Sequence, residues 1–207
     1  MNVTLIIILV TVGISLWAWN DYSVMNRWVM NPYQVAKRNQ YYRFLTSGFL
    51  HADWMHLIFN MISLYAFGGL MEQVFNSLFG ASGPLYYIGF YLIAIVVSDI
   101  PTFLKHRNDS GYNSLGASGG VAAIIFAAIL ISPLSKIMLF IIPIGIPGFI
   151  FGPIYLLYSY YESQRGAGNV NHDAHIYGAL FGVAFIILVY PPVLPQFIDQ
   201  IAGWRLF

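Results

Sequence analysis

Cysteine is missing from this chain of 207 residues. Disulfides and thiolate chemistry are therefore excluded, and the redox compartment cannot be read. Charge is nearly missing too. Asp, Glu, Lys and Arg make up 8% of the residues, against about 25% in a soluble domain. So few charges could not clothe a surface in water. The formal net charge is +1 and no basic run exists, which gives no case for nucleic acid as a partner. What remains is apolar: 58% of the chain is hydrophobic. These totals make lipid the solvent and the bilayer the first partner.

About 20 apolar residues cross a bilayer as a helix. Six such runs stand in the chain, at about 2–20, 55–74, 83–103, 115–132, 147–161 and 173–190. Pro133 closes the fourth, and Pro191 with Pro192 stops the sixth. No Lys or Arg precedes the first run and no clear small-residue cleavage site follows it. It reads as a retained span rather than a signal peptide. Between the fourth and fifth runs, "SPLSKIMLFIIPIGIPGF" is apolar but broken by Pro143 and Pro147. Proline removes a helix hydrogen bond, so a bent or re-entrant segment is expected there, a full extra span being the lesser reading. The loop at about 21–50 mixes Arg27, Lys37, Arg38 and Arg43 with Trp28, Tyr33, Tyr41 and Tyr42, a composition suited to a membrane–water interface. The chain reads as one domain, 1–207, with its core at about 40–190.

Three polar clusters interrupt the apolar background. His51, His56 and Asn60 open the second run, Ser118 opens the fourth, and His172, Asp173 and His175 open the sixth. Spans two, four and six run in one direction, so all three clusters lie in one leaflet. Polar groups in a membrane are costly, and three at one depth suggest a site. The fourth run carries Gly119, Ala123 and Ala127, and the sixth Ala174, Gly178 and Gly182. Small residues at four-residue spacing let membrane helices pack backbone to backbone. Ser118 and His175 each lie one residue from the start of such a stripe.

A hydroxyl needs a base to become a nucleophile, and histidine titrates near neutral pH. Ser118 and His175 are therefore read as a nucleophile and base, against a plainer role as interhelical polar contact. His172 is expected in the loop above the helix. Asp173 is two residues from His175 and faces another way, so it reads as a helix N-terminal residue and not as a triad acid. His56 and Asn60 share a helical face and could donate to an oxyanion, with the Ser118 backbone N–H as a third donor. His51 is expected at the loop entry, supporting the site or facing water. Three histidines raise the question of zinc, but there is no HExxH and no carboxylate at ligand spacing. Neither metal nor cofactor is expected. Arg43 is read as holding the first loop in shape. Glu72, some four turns from His56, is read as part of a structural cluster near Ser77.

Taken in order, these residues resemble the rhomboid family of intramembrane serine proteases. The G-x-S-G motif reads Gly116-Ala117-Ser118-Gly119, the second-helix pattern reads "HADWMHLIFN", and the histidine with its glycines reads "AHIYGALFG". Tyr42-Arg43 and "GGLMEQVFNS" fit as well. The resemblance implies an all-α, six-helix rhomboid-like membrane bundle with a Ser118–His175 dyad in a water-filled cavity. It implies transmembrane-protein substrates whose helix unwinds and enters from the lipid side. The fifth span and the loop at about 162–171 would be gate and cap, with Pro143, Pro147 and Gly148 giving flexibility at the gate's base. One departure stands out. Many family members carry an aromatic residue one turn after the serine, packed on the histidine, where this chain has Ala122. Another ring, such as Tyr177 or one from a neighbouring helix, is expected to steady His175.

Orientation is contested. Arg27, Lys37, Arg38, Arg43, Lys105, Arg107 and Arg165 lie on the side of the site, and Lys136 and Arg205 on the other. The positive-inside rule puts the site toward the cytoplasm. The resemblance to bacterial rhomboids implies a multi-pass protein of the cell (inner) membrane whose site opens to the extracytoplasmic side, and that expectation is followed here. Two other functions are weighed: a weak or inactive rhomboid-like protein that holds transmembrane helices, suggested by Ala122, and a transporter, which would want charges at mid-membrane.

Overall fold

The structure is a computed structural model that describes residues 2–139, 142–165 and 170–205. Ten α-helices, two short 3-10 turns (Ser47–Phe49 and Gly80–Ser82) and one two-stranded sheet are present among the described residues. The six apolar runs become α1 (Val3–Asn20), α5 (Trp54–Phe79), α6 (Gly83–His106), α7 (Ser118–Ile131), α8 (Gly148–Arg165) and α9 (His172–Val189). Helices α1, α9 and the α5–α6 pair are long and apolar enough to cross a membrane. The first loop folds into three short helices, α2 (Tyr22–Trp28), α3 (Pro32–Arg38) and α4 (Arg43–Thr46).

Side-chain caps start several of these helices where sequence chemistry calls for them. Asn2, Asp53 and Asn171 accept backbone N–H groups at the starts of α1, α5 and α9, each satisfying one of the donors a helix leaves open. The segment after α7 is broken as its prolines require. It forms an antiparallel pair, β1 (Lys136–Leu139) with β2 (Ile142–Pro147), in which Lys136 faces Pro147. Among the described residues this segment forms no further membrane-length helix. Like the three short helices of the first loop, α10 (Val193–Ala202), which begins just after Pro191-Pro192, was not anticipated. Its Gln200 donates to the carbonyl of Ile131 at the end of α7.

Helix α7 is the centre of the bundle. Eleven of its fourteen residues are buried and it has no polar face, the mark of a helix enclosed on all sides. At 1.5 Å per residue its length is about 21 Å, short of the roughly 30 Å of a bilayer's hydrocarbon. The neighbours must therefore shield its ends, and irregular backbone at that depth is tolerated only inside protein. Around it pack Leu57, Leu64, Phe75, Phe90, Tyr91 and Ile186, all buried.

The two ends of the molecule are chemically different. At one end the carboxylate of Glu72, near the close of α5, accepts from Val3 N–H at 2.8 Å, Thr4 N–H at 3.0 Å and the Thr4 hydroxyl at 2.9 Å. Glu72 thus anchors the start of α1, and these bonds go to Val3 and Thr4 rather than to Ser77. At the other end lie the starts of α5, α7 and α9.

Candidate functional site

Helices α7 and α9 run parallel with their backbones touching. A side-chain carbon added to Gly178 would strike the carbonyl of Gly119, and one added to Gly182 would strike that of Ala123. These are the small-residue stripes read from the sequence, and they meet in register. Ser118 and His175 flank the first of these contacts on neighbouring helix tips at one end of the molecule.

The start of α7 is prepared on several sides. Gly116 has φ +127°, a backbone conformation that favours glycine. A side chain there would also hit the His56 ring at about 2.7 Å. His56 therefore lies against the G-x-S-G turn. No side chain caps α7 among the described residues, and its first intrahelical donor is Val121 N–H, to Ala117. The N–H groups of Ser118, Gly119 and Gly120 are thus left without helix partners, at the end of a helix that favours negative charge. Asn60 is buried and spends one amide proton on the His56 carbonyl, at 2.9 Å. No second bond of that amide group is made among the described residues.

His51 is wholly buried and does not face water. Its Nδ1 lies 3.0 Å from the Ser15 hydroxyl, which itself donates to Phe49 O at 2.9 Å, and its Nε2 accepts a long bond of 3.5 Å from Ala117 N–H. Burial, with His56 beside it, pushes the His51 imidazole down to about 3. It is neutral and ties α1, the first loop and the serine turn together. Its ring meets that of His56 edge-on at 4.9 Å.

At the start of α9, His172 is the first helical residue, with Asn171 as the cap. The expected loop position for His172 is corrected by one residue, because the helix begins at the Asn171 side chain. Asp173 pairs with Lys105 at 2.9 Å, in keeping with a helix-start residue. His175 Nδ1 lies 3.0 Å from the Tyr155 hydroxyl. The Tyr155 ring also lies nearly parallel to the imidazole, 6.2 Å away with an interplanar angle of 22°. A phenol ring beside His175 thus comes from α8, while the His172 imidazole, from α9 itself, meets the His175 ring edge-on at 5.6 Å. Tyr177, by contrast, is 44% exposed.

Several residues of this end were missed by sequence reasoning. Asn171 accepts from Thr102 at 3.0 Å and from Ala174 N–H at 3.1 Å, and donates to the buried Asp99 at 3.3 Å. Asp99, Ser98 and Asn171 line a small polar cavity that reaches Ser118 and Gly119. A helix-capping asparagine before "HDAH" was a readable signal; Asp99, deep in an apolar run, carried none beyond its charge. The first loop also reaches the site. Met30 and Ser114 exchange backbone hydrogen bonds of 3.0 and 2.9 Å, and Asn31 donates to Asn113 and to the Ser110 carbonyl. Arg43 is buried and donates to the carbonyls of Asn26 and Val29 at 2.9 and 2.6 Å and to Gln40 at 2.7 Å. It holds the loop that holds the serine turn. No group of three or more potential metal ligands occurs among the described residues.

Fold and site together define a helical integral membrane protein with polar groups gathered at one end of an apolar bundle. Comparison with known proteins places it further. The Rhomboid domain matches residues 38–192, and the chain belongs to the rhomboid family. It is 28% identical over 201 residues to rhomboid-like protein 11, chloroplastic, of Arabidopsis thaliana, covering 88% of this chain and 64% of that protein. It is 27% identical over 173 residues to RHOMBOID-like protein 12, mitochondrial, of the same plant, covering 74% of this chain and 49% of that one. To rhomboid protease GlpG of Yersinia pestis (strain Pestoides F) it is 23% identical over 183 residues, covering 88% and 60%. The chain therefore spans about half to two thirds of the length of these relatives.

Proposed function

We propose that this protein is an intramembrane serine endopeptidase that cuts peptide bonds in or near transmembrane segments of other membrane proteins. The observation that carries the reading is the parallel α7–α9 contact, which sets Ser118 and His175 on adjoining helix tips at the polar end. Ser118 Oγ attacks the peptide carbonyl while His175 Nε2 takes its proton, Nδ1 being engaged by Tyr155. The negative oxygen is held by Ser118 N–H, His56 and Asn60. Collapse of the tetrahedral adduct breaks the C–N bond, and His175 hands its proton to the leaving amine. Water, deprotonated by the same imidazole, then hydrolyses the acyl-serine.

The uncapped N-terminus of α7 supports the oxyanion assignment, since its free N–H groups and helix dipole both favour an anion. The relative named a protease supports the activity. Helix α8 and the segment after it act as gate and cap; residues 166–169 of that segment lie outside the described ones. The site opens to the extracytoplasmic side of the cell (inner) membrane. A weak or inactive helix-binding relative was suggested by Ala122, but Tyr155 supplies a ring at His175, so Ala122 alone no longer argues for inactivity.

The test is cleavage of a single-span substrate by detergent-solubilised protein, with fluorophosphonate labelling in parallel. Wild type cuts and is labelled at Ser118. Ser118→Ala and His175→Ala lose cleavage by about 10⁴-fold or more. An uncut substrate and an unlabelled wild type reject the reading.

A further inference from the structure

A serine–histidine pair without an acid leaves one question open: what holds the imidazole in the useful tautomer? In a triad a carboxylate accepts Nδ1–H and keeps Nε2 bare. The nearby carboxylates are engaged elsewhere, Asp173 with Lys105 and Asp99 with Asn171 and, at 3.5 Å, Ser47. The Tyr155 hydroxyl, 3.0 Å from His175 Nδ1, can donate or accept. If it accepts, Nδ1 carries the proton and Nε2 is free to act as base.

The surroundings favour acceptance. The phenol proton then needs an acceptor of its own. One turn along the same face of α8 is Ser159, which is fully buried, whose hydroxyl has no other hydrogen-bond partner among the described residues, and which is near enough to act on the Tyr155 hydroxyl. The ring position is equally determined. Ala122, Phe126 and Ala179 form a buried cluster against which Tyr155 and Leu156 pack, and the Tyr155 and Phe126 rings are 5.9 Å apart. The small side chain at Ala122 leaves the room that Tyr155 occupies.

We propose that Tyr155 is a positioning residue for His175: its hydroxyl oxygen accepts Nδ1–H, and its ring replaces the aromatic that α7 lacks at Ala122. This rests on the serine–histidine reading above. Because Tyr155 belongs to α8, the base is set only while α8 is seated against α7 and α9. A substrate that displaces α8 to enter must let it return before chemistry.

Nitrogen-15 spectra of histidine-labelled full-length protein in micelles test the tautomer, with His175→Asn identifying the His175 signals. The expected wild-type result is Nδ1 protonated and Nε2 bare. In Tyr155→Phe, which keeps the ring, that preference is lost and kcat falls roughly 10–100-fold, with KM within about twofold. Fluorophosphonate labelling of Ser118 slows by the same factor while the melting temperature holds. An Nε2-protonated His175 in the wild type overturns the proposal even if the variant fails to fold. So does a Tyr155→Phe variant with unchanged kcat and tautomer, or one in which KM alone rises. A wild type that shows the expected tautomer but neither cleaves nor labels instead rejects the protease reading and leaves the Tyr155 contact standing.

Discussion

A single imidazole can hold a membrane protein's polar end together provided it stays uncharged, and His51 is placed to do so. It has no exposure to solvent, and burial lowers its pKa from 6.5 to about 3. The unfolded chain binds a proton here below about pH 6.5, whereas the folded one does not until about pH 3. The stability His51 contributes is thus present above the unfolded value and is lost as pH falls from 6.5 toward 3. At pH 5 this amounts to on the order of 2 kcal/mol. Melting temperatures in detergent at pH 7 and pH 5 should show a fall for wild type that is distinctly smaller in His51→Gln. At pH 7 the same substitution should destabilise by about 1–3 kcal/mol, because Ser15 and Ala117 N–H lose their partner. Equal pH sensitivity in the two proteins would contradict this account. From sequence, His51 stood between supporting the site and facing water. Spacing places His56 and Asn60 on one face, but it carries no information about a residue just outside the helix whose partners come from α1 and α7.

At the scale of the helix pair, the four-residue stripes were legible because small residues leave a direct mark on the sequence, and α7 meets α9 where those marks fall. The same reasoning predicts which glycines tolerate a methyl group. Gly178→Ala places a carbon against the Gly119 carbonyl, which is backbone and cannot swing away. Gly89→Ala, in the middle of α6, meets nothing within 4 Å. Gly178→Ala should cost about 1–3 kcal/mol through overpacking, and should lower cleavage because Ser118 and His175 ride on the displaced tips. Gly89→Ala should be neutral or stabilising by up to about 1 kcal/mol. Thermal melts of both variants, with cleavage of the single-span substrate alongside, decide the matter. Other elements left weaker marks. Helix α10 follows two prolines that read as a stop, and the first loop's three short helices are too brief for periodicity to reveal. The α8 ring beside His175 could not be placed either, since sequence order says nothing about which helix fills the gap left by Ala122.

Across the whole molecule, the proposed site and the anchorage of α1 lie at opposite ends, and two of the buried charges, Glu72 and Arg43, can be told apart by that geometry. Glu72 is sixteen residues beyond His56 on one continuous helix, about 24 Å at 1.5 Å per residue. It fastens the start of α1, at the far end from the serine turn. Arg43 is at the site end, where it fixes the carbonyls of Asn26 and Val29. The loop so fixed clamps the serine turn through the Met30–Ser114 bridge. Each removal strands backbone groups, so Glu72→Ala and Arg43→Ala should each cost about 1–3 kcal/mol. Their effects on turnover should differ. With Glu72→Ala, kcat per folded molecule should stay within about twofold of wild type, because the start of α7 keeps all its neighbours. With Arg43→Ala, kcat should drop about tenfold or more, since a small misplacement at a reacting centre is expensive. Labelling of Ser118, normalised to folded protein by a parallel melt, separates the two outcomes. If both variants lost turnover equally at matched stability, the two ends would be coupled through α5, and the division of the bundle into an anchoring end and a chemical end would have to be given up.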